Sequence, residues 1–299
     1  MKIEIPCFYF EHLPKTIDKT GIKVLKCANE TYSLEYVVFD PGVVHITMYP
    51  VIRRPSLKKV DTSIATIQQF ASAMGLHNDF HKTKFTDIQL IFDILKSTFQ
   101  IGSDGPKFYS GGFTITRNKP GLHTIATEGF IDNLLEILSD KPQFAFVQFV
   151  FKPMKIPKKF QINDDQNKRL TRVRFDIQQG KVEYTYPPPN TNALEETGCF
   201  QLSTRLLVVE TNPESLKSKL DRTSVLFLSN DFNVLYYPTF WKRFSSLINL
   251  CRKRKLVSPI MLDGSSLMNL IAPPQRQISC EGYTFVPDKM EYVSSKLKR

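Results

Sequence analysis

The segment MKIEIPCFYF alternates between apolar and polar residues in its first half, as expected of a β-strand with one face buried. Two further β-rich runs follow, TYSLEYVVFD at 31–40 and VVHITMYPVI at 43–52. They meet at Asp40-Pro41-Gly42, a sequence that favours a turn. The pattern therefore predicts a β-hairpin near the start of the chain.

The apolar period then lengthens to that of a helix. Between residues 64 and 74, apolar side chains recur every three or four positions, and Gly75 closes the run. A second run of this kind covers 127–138. A strand is predicted almost directly after it, at 143–152, and Pro153 ends that pattern.

The stretch between the two predicted helices is less regular. Residues 88–99 are compatible with either a strand or a helix. Residues 107–116 resemble a hairpin that carries Gly111-Gly112.

The chain becomes polar from Pro153 to about Gly198, which predicts an excursion or linker. Within it, residues 172–186 resemble a hairpin that turns at Gly180. The last third returns to regular elements. The predicted order is a strand at 200–210, a helix at 213–221, a strand at 225–228 that continues near 234–237, and a helix at 240–254.

Strand–helix–strand units thus lie on both sides of a polar middle. This order predicts an α+β fold of two ferredoxin-like halves with mostly antiparallel sheets. The predicted boundaries are an N-terminal half at 1–153, a basic linker or hairpin excursion at 154–198, and a C-terminal half at 199–299.

Composition places the chain among globular proteins. Of 299 residues, 41% are hydrophobic and 23% are charged, which is enough to bury a core. The most apolar run, FAFVQFVF, is far shorter than the ~20 residues of a membrane-spanning helix, and no secretory signal is recognisable. We therefore expect a cytoplasmic protein without a transmembrane segment.

The cysteines are odd in number and scattered, so neither a disulfide framework nor a zinc site of the usual spacing is predicted. Reduced thiols in a cytosolic protein are the simplest interpretation. The five residues are Cys7, Cys27, Cys199, Cys251 and Cys280.

Motifs of self-contained enzymes are missing from the sequence. It contains no GxxxxGK(S/T), because residues 102–107 (GSDGPK) have the wrong spacing to hold phosphates, and it contains neither GxGxxG nor GxSxG. His77 and His81 have the spacing of zinc ligands on a helix, but they lack the glutamate of HExxH and are better explained as surface residues. The sequence thus predicts no catalytic, metal-binding or cofactor-binding residue.

An enzyme with a dispersed active site is the least favoured alternative. The residues that would be tested first for such a site are His45, His77, Asp79 and His81.

The charge balance favours anionic partners. Forty Lys and Arg residues face 29 Asp and Glu, a formal net charge of +11. Basic clusters occur in the polar middle and at the end of the last predicted helix, where cations also complement the helix dipole without any partner. Candidate residues for contact with nucleic acid or a protein partner are Lys158, Lys159, Arg169, Arg172, Arg174, Arg252, Lys253, Arg254 and Lys255.

Three segments of the chain form a recognisable series: an apolar strand bearing Arg205, a Lys141-Pro142-Gln143 element before FAFVQFVFKP, and residues 255–274. In pattern they are similar to the N-terminal, pre-ATPase region of conjugative (type IV secretion) transfer ATPases of the HerA–FtsK superfamily. The resemblance covers about 127–274. Departures are Ser266, where the family favours Glu, and the missing His before Pro273.

This resemblance implies a noncatalytic assembly module of a DNA-transfer machine of a mobile genetic element. Such a module would bind a motor ATPase or a membrane channel component, would form a homo-oligomer, and would lie at the inner face of the membrane. It implies either a stand-alone protein or a fragment of a longer ATPase. The alternative is a viral or plasmid-encoded protein that binds DNA or RNA directly through its basic clusters.

Overall fold

The structure is a computed structural model that describes sixteen stretches of the chain. These are residues 7–10, 21–39, 43–73, 80–83, 109–117, 122–123, 129–140, 144–156, 174–176, 181–183, 194, 196–230, 232–237, 241–272, 278–280 and 283–285.

Strands dominate the described residues. In chain order they are β1 (Cys7–Phe10), β2 (Thr31–Phe39), β3 (Val43–Val51), β4 (Phe80–Thr83), β5 (Tyr109–Arg117), β6 (Leu122–His123), β7 (Phe144–Met154), β8 (Arg174–Asp176), β9 (Lys181–Glu183), β10 (Cys199–Glu210), β11 (Phe232–Tyr237), β12 (Ile260–Asp263), β13 (Ile278–Cys280) and β14 (Tyr283–Phe285). The helices are α1 (Ile22–Lys26), α2 (Leu57–Ala73), α3 (Phe130–Leu138), α4 (Pro213–Leu228), α5 (Trp241–Lys253) and α6 (Gly264–Ile271).

Ten of these strands form one sheet. Eight follow the order β11-β5-β10-β7-β2-β3-β1-β4, and β12 pairs with both β10 and β6. All neighbours are antiparallel except β6 and β12. The pairs β8–β9 and β13–β14 form separate two-stranded sheets.

The two faces of the sheet carry different helices, because successive side chains of a strand point to opposite faces. On β2, Leu34, Tyr36 and Val38 join the larger core, to which α1, α2, α3, α4 and α6 also contribute. Val37, one position away from two of them, belongs to a smaller cluster with Leu247 of α5. Five described helices therefore cover one face and α5 covers the other.

Several predicted elements are confirmed. The two β-rich runs pair as the antiparallel hairpin β2–β3, and the predicted helical periods correspond to α2 and α3. The polar middle contains the antiparallel pair β8–β9. Helix α4 begins with Pro213 in its first turn, and the side chain of Asn212 accepts a hydrogen bond from the Glu214 backbone N–H. The mixed, mostly antiparallel α+β class is also confirmed.

The strand predicted at 225–228 is wrong, because these residues form the last turn of α4. The burial of the apolar residues there fits a helix with one side facing the core, because Phe227 is fully buried whereas Val225 is 62% exposed. Phe227 packs edge-on against Phe113 and Phe130, at centroid distances of 5.7 and 4.9 Å. Tertiary packing on one side thus extends the helix through a β-rich sequence.

The hairpin predicted at 107–116 is also wrong, because 109–117 is the single strand β5. The absence of a side chain at Gly112 allows β5 to approach β10 closely. A Cβ built on it would lie 2.2 Å from the backbone oxygen of Leu206 on β10.

The ferredoxin-like arrangement of two halves is not confirmed. Strand β10 lies between β5 and β7 and pairs with both, so strands from both predicted halves share one sheet. The domain boundaries stay a prediction, and residues 88–99 lie outside the described residues. Within the part of the chain that the structure describes, no helix has the length and apolar character needed to cross a membrane.

Candidate functional site

A row of polar side chains crosses the middle of the sheet on the face covered by α5. Register places Thr47 of β3 opposite Glu35 of β2, Glu35 opposite Gln148 of β7, and Gln148 opposite Arg205 of β10. All four are buried, and Glu35 and Gln148 have no exposed surface. Burial of polar groups is costly unless hydrogen bonds replace water. Glu35, Gln148 and Arg205 have such bonds, whereas Thr47 Oγ1 has no hydrogen-bond partner among the described residues.

The carboxylate of Glu35 accepts hydrogen bonds from three side chains. The Ser33 hydroxyl and the Gln148 amide each donate to its Oε1 at 2.7 Å. Arg254 binds it through both oxygens, with Nε 2.7 Å from Oε1 and Nη2 3.0 Å from Oε2. The ionised carboxylate is thus satisfied by a bidentate arginine and two neutral donors.

Arg205 attaches the same row to the C-terminal end of α5. Its Nη1 donates to Oε1 of Gln148 at 2.6 Å, and its Nη2 donates to the backbone oxygen of Lys255. The amide of Gln148 also donates to the backbone oxygen of Cys251 at 2.8 Å. Burial lowers the pKa of Arg205, but an arginine remains charged, and the partly negative end of the helix favours that charge.

Arg254 follows α5 in a left-handed backbone conformation, with φ of 47°. For a residue with a Cβ this costs ~1–2 kcal/mol, so a glycine is the usual residue at this position. The arginine side chain provides an offsetting gain, because it pairs with Glu35 and its guanidinium carbon lies 3.7 Å from the ring centroid of Tyr49.

Residues 254–259, which we call the α5–β12 loop, are fixed at a further point. The Ser203 hydroxyl of β10 donates to the backbone oxygen of Val257 at 2.9 Å and accepts from the Val257 N–H at 3.0 Å. Ser258, next in the chain, has φ of 46°. The loop is therefore held against β2 and β10 by side chains of the sheet.

A pocket of about 610 Å³ lies beside this loop and is lined by Thr31 and Gln201, four residues from Glu35 on β2 and from Arg205 on β10. Its lining residues come from β2 and the residue before it, from β3, β7 and β10, from the segment before α2 and its first turn, and from the α5–β12 loop. They are Glu30, Thr31, Val51, Arg53, Arg54, Lys59, Lys152, Gln201, Leu256 and Pro259.

The lining of this pocket is strongly basic. It contains four cationic side chains and one carboxylate, a formal surplus of three positive charges. The carboxylate of Glu30 lies 3.9 Å from Nζ of Lys59, whose side chain is 52% exposed. Such an exposed pair contributes little, and the surplus charge makes the pocket attractive to anions.

The sequence-predicted contact residues are only partly described. Arg252, Lys253 and Lys255 are exposed at and just beyond the end of α5, whereas Arg254 is half-buried in the pair with Glu35. Arg174 lies in β8, and Lys158, Lys159, Arg169 and Arg172 lie outside the described residues. Contact of this set with nucleic acid or a partner stays a prediction.

Sequence reasoning missed the cations of the pocket. The available signal was the run Arg53-Arg54-Pro55-Ser56-Leu57-Lys58-Lys59, which places four positive charges within seven residues. Lys152 and Gln201 carry no comparable local signal. Their proximity arises only because β7 and β10 pair with Lys152 opposite Gln201.

The described part of the structure does not bring together the four residues that would form a dispersed active site. His77 and Asp79 lie outside the described residues, while His45 and His81 lie in β3 and β4, on either side of β1. Among the residues whose placement is described, no group of three His, Cys, Asp or Glu side chains is close enough to hold a metal ion.

No family model matches the chain, and no curated protein is similar to it. Solved structures with a weak likeness to this chain include the following three. One is CrmK, a flavoenzyme of caerulomycin biosynthesis, with 9% identity, a TM-score of 0.36, and coverage of 75% of this chain and 40% of that chain. Another is a variant of Physcomitrella patens BBE-like 1, with 11% identity, a TM-score of 0.34, and coverage of 77% and 45%.

The third is a glycopeptide hexose oxidase complexed with teicoplanin, with 11% identity, a TM-score of 0.30, and coverage of 76% of this chain and 41% of that chain. The chain therefore spans less than half the length of these proteins. At this level of similarity the likeness assigns no cofactor, substrate or reaction to the chain.

The comparisons contradict the predicted resemblance to transfer ATPases, because no such protein is among these structures and no family model matches. The noncatalytic role in conjugation or type IV secretion rested on that resemblance and is corrected with it. So is the prediction that the chain is not an enzyme, since the similar structures include a flavoenzyme and an oxidase.

The physical reason for the error lies in the residues that carried the resemblance. Arg205 belongs to the buried row that fixes α5, and residues 264–271 form the short buried helix α6, capped by the Asp263 side chain. Apolar strands with one buried charge, and apolar helices after a turn, are common to many folds.

Proposed function

We propose that this chain binds a ligand bearing a phosphate or a similarly compact anionic group in the basic pocket. The observation that carries the proposal is the lining itself, where four cationic side chains face one carboxylate. Arginine matches phosphate geometry with two parallel hydrogen bonds, and lysine adds a mobile point charge.

The remaining lining residues suit the rest of such a ligand. Val51, Leu256 and Pro259 offer apolar surface, and Thr31 and Gln201 offer hydrogen-bonding groups at the sheet. A volume of about 610 Å³ falls within the range of small-molecule sites. The ligand class is thus a phosphorylated small molecule with a partly apolar body, of which a nucleotide is one example.

Isothermal titration calorimetry at low ionic strength tests the proposal. The probes are inorganic pyrophosphate, AMP, ADP, FMN and FAD; the flavins are included because one of the similar structures is a flavoenzyme. We expect saturable binding of at least one phosphate compound that weakens as salt is added, because salt screens exposed charges.

Two neighbouring lysines provide a matched control. Lys59 lines the pocket, whereas Lys58 is exposed on the same turn of α2 and does not. Lys59→Ala is expected to weaken binding roughly tenfold, equivalent to ~1.4 kcal/mol, and Lys58→Ala to leave it nearly unchanged.

Two results would refute the proposal. One is the absence of any heat of binding with all five probes at low salt. The other is binding of a DNA or RNA oligonucleotide with no binding of the small phosphates, which would indicate an extended surface instead of the pocket.

A further inference from the structure

The α5–β12 loop supplies Leu256 and Pro259 to the pocket, and its first residue, Arg254, pairs with Glu35, although neither of these two residues lines the pocket. We propose that Glu35 is a positioning residue for the pocket: through Arg254 it holds the loop as the pocket wall and thereby sets anion affinity. This inference rests on the proposed function. It adds a determinant of affinity that no ligand would touch.

The first support is the backbone of the loop. Arg254 and Ser258 both have positive φ, at 47° and 46°, although neither is a glycine. Non-glycine residues keep this conformation only where surrounding contacts impose it. The two strained positions bracket Leu256, and Ser258 directly precedes Pro259, so the imposed conformation shapes the wall itself.

The second support is that the residues that hold the loop and residues that line the pocket lie on the same strands, β2 and β10. Glu35 lies four residues from Thr31 on β2, and Arg205 lies four residues from Gln201 on β10. Residues four apart share a face of a strand and are separated by ~13 Å. The strands that hold the loop therefore continue directly into the floor of the pocket.

The third support is electrostatic. Glu35 has no exposed surface, and its bidentate partner Arg254 links β2 to the first residue of the loop, while Arg205 and Ser203 of β10 hold the loop at Lys255 and Val257. Loss of the carboxylate charge leaves a half-buried guanidinium with a neutral partner, and such a group moves toward water. Because Arg254 begins the loop, its outward movement displaces the wall.

Glu35→Gln tests the inference with little change in side-chain volume. The readout is the dissociation constant for inorganic pyrophosphate, measured at 15 °C by calorimetry on folded protein. We expect binding roughly tenfold weaker than in the wild type, with an unchanged dependence on salt, because the pocket cations remain.

Glu210→Gln is the matched control. Glu210 is likewise buried and paired, with Lys219 Nζ at 2.5 Å, but it lies at the opposite end of β10 and does not line the pocket. It tests whether removal of a buried, paired carboxylate elsewhere in the sheet weakens binding, and we expect pyrophosphate affinity within about twofold of the wild type.

A double-mutant cycle separates positioning from general structure. If Glu35 acts through Arg254, then Glu35→Gln and Arg254→Gln weaken binding by similar factors, and the double variant is no weaker than either one. Additive losses would contradict the inference, as would a Glu35→Gln protein with wild-type affinity.

Limited trypsin digestion gives a readout that needs no ligand. Displacement of the loop should accelerate cleavage after Lys255 in Glu35→Gln, on the order of tenfold relative to the wild type, and not in Glu210→Gln. Unchanged cleavage overturns the positioning role even where affinity falls.

If the wild type binds no pyrophosphate or other phosphate probe, the proposed function fails and the claim about affinity fails with it. If the wild type binds pyrophosphate and Glu35→Gln binds it with the same affinity, the proposed function stands and only the positioning role of Glu35 fails.

Discussion

The amide of Gln148 lies 2.7 Å from Oε1 of Glu35, while the carbonyl oxygen of the same side chain accepts from Arg205 at 2.6 Å. Gln148 thus connects an anion and a cation that lie on strands two apart in the sheet, β2 and β10. A neutral amide can do this because it has both a donor and an acceptor end.

Gln148→Leu is expected to lower the free energy of unfolding by about 3–5 kcal/mol, because it removes the shared partner of two buried charges. Chemical denaturation monitored by circular dichroism measures the loss. Gln69→Leu on the exposed side of α2 is the control and should change stability by no more than ~0.5 kcal/mol. Similar losses in the two variants would contradict a role for the network.

The Glu210–Lys219 pair predicts a pH dependence with a definite sign. Burial is the largest cause that raises the pKa of Glu210 above its usual 4.5, although Lys219 opposes it. A raised pKa in the folded state stabilises the protein below 4.5, and this contribution is lost as pH rises through the folded-state value. Relative to Glu210→Gln, the wild type should therefore lose stability as pH rises above 4.5.

Denaturation of both proteins at a series of pH values measures this difference, and other titrating groups cancel in the comparison. If the stability of the wild type instead increases with pH relative to Glu210→Gln, the ion pair with Lys219, and not burial, dominates the titration of Glu210.

Burial also predicts which thiols react. Burial is the main cause that raises the pKa of Cys251 to about 12 and that of Cys199 to about 11, whereas Cys27 is exposed. Because the thiolate is the reactive form, iodoacetamide at pH 8 should modify Cys27 rapidly and leave the other two protected. Peptide mass spectrometry after timed quenching reads the three sites separately.

Addition of denaturant provides the control for this experiment, since all three thiols should then react at similar rates. Modification of Cys251 in native protein as fast as that of Cys27 would contradict the buried position of the α5 end.

Gly112→Ala is expected to be strongly destabilising. Its Cβ would lie 2.2 Å from the Leu206 backbone oxygen, so β5 and β10 must separate locally, and we expect a loss of at least ~3 kcal/mol. Gly111→Ala is the control. Its Cβ would first meet the Leu220 side chain, at 2.8 Å, which can rotate away. The midpoint of thermal unfolding should therefore be well below that of Gly111→Ala for the Gly112→Ala variant.

Much of the local structure is predictable from the order of residues alone. The hairpin β2–β3, the helices α2 and α3, and the strand β10 follow from apolar periodicity, because each period reflects which side of an element faces the core. The error at 225–228 occurred where propensity and packing disagreed, since Phe227 is buried against aromatic rings contributed by distant segments.

The candidate site was not predictable in this way. Arg53 and Lys59 lie in a visible basic run, but Lys152 and Gln201 become pocket residues only through the pairing of β7 with β10. Arg254 was predicted to contact a partner from its position in a basic cluster. That contact stays a prediction, whereas the pairing of its side chain with Glu35, 219 residues away in the chain, has no local signal.

The sequence by itself determined the α+β class, most element positions and the basic character of the protein. Only the tertiary structure decided that β10 lies between β5 and β7, that Glu35 and Arg254 meet, and that four cations line one pocket. The reason is physical. Periodicity depends on neighbours within a few residues, whereas strand order and buried charge pairing depend on contacts between distant segments that no local pattern encodes.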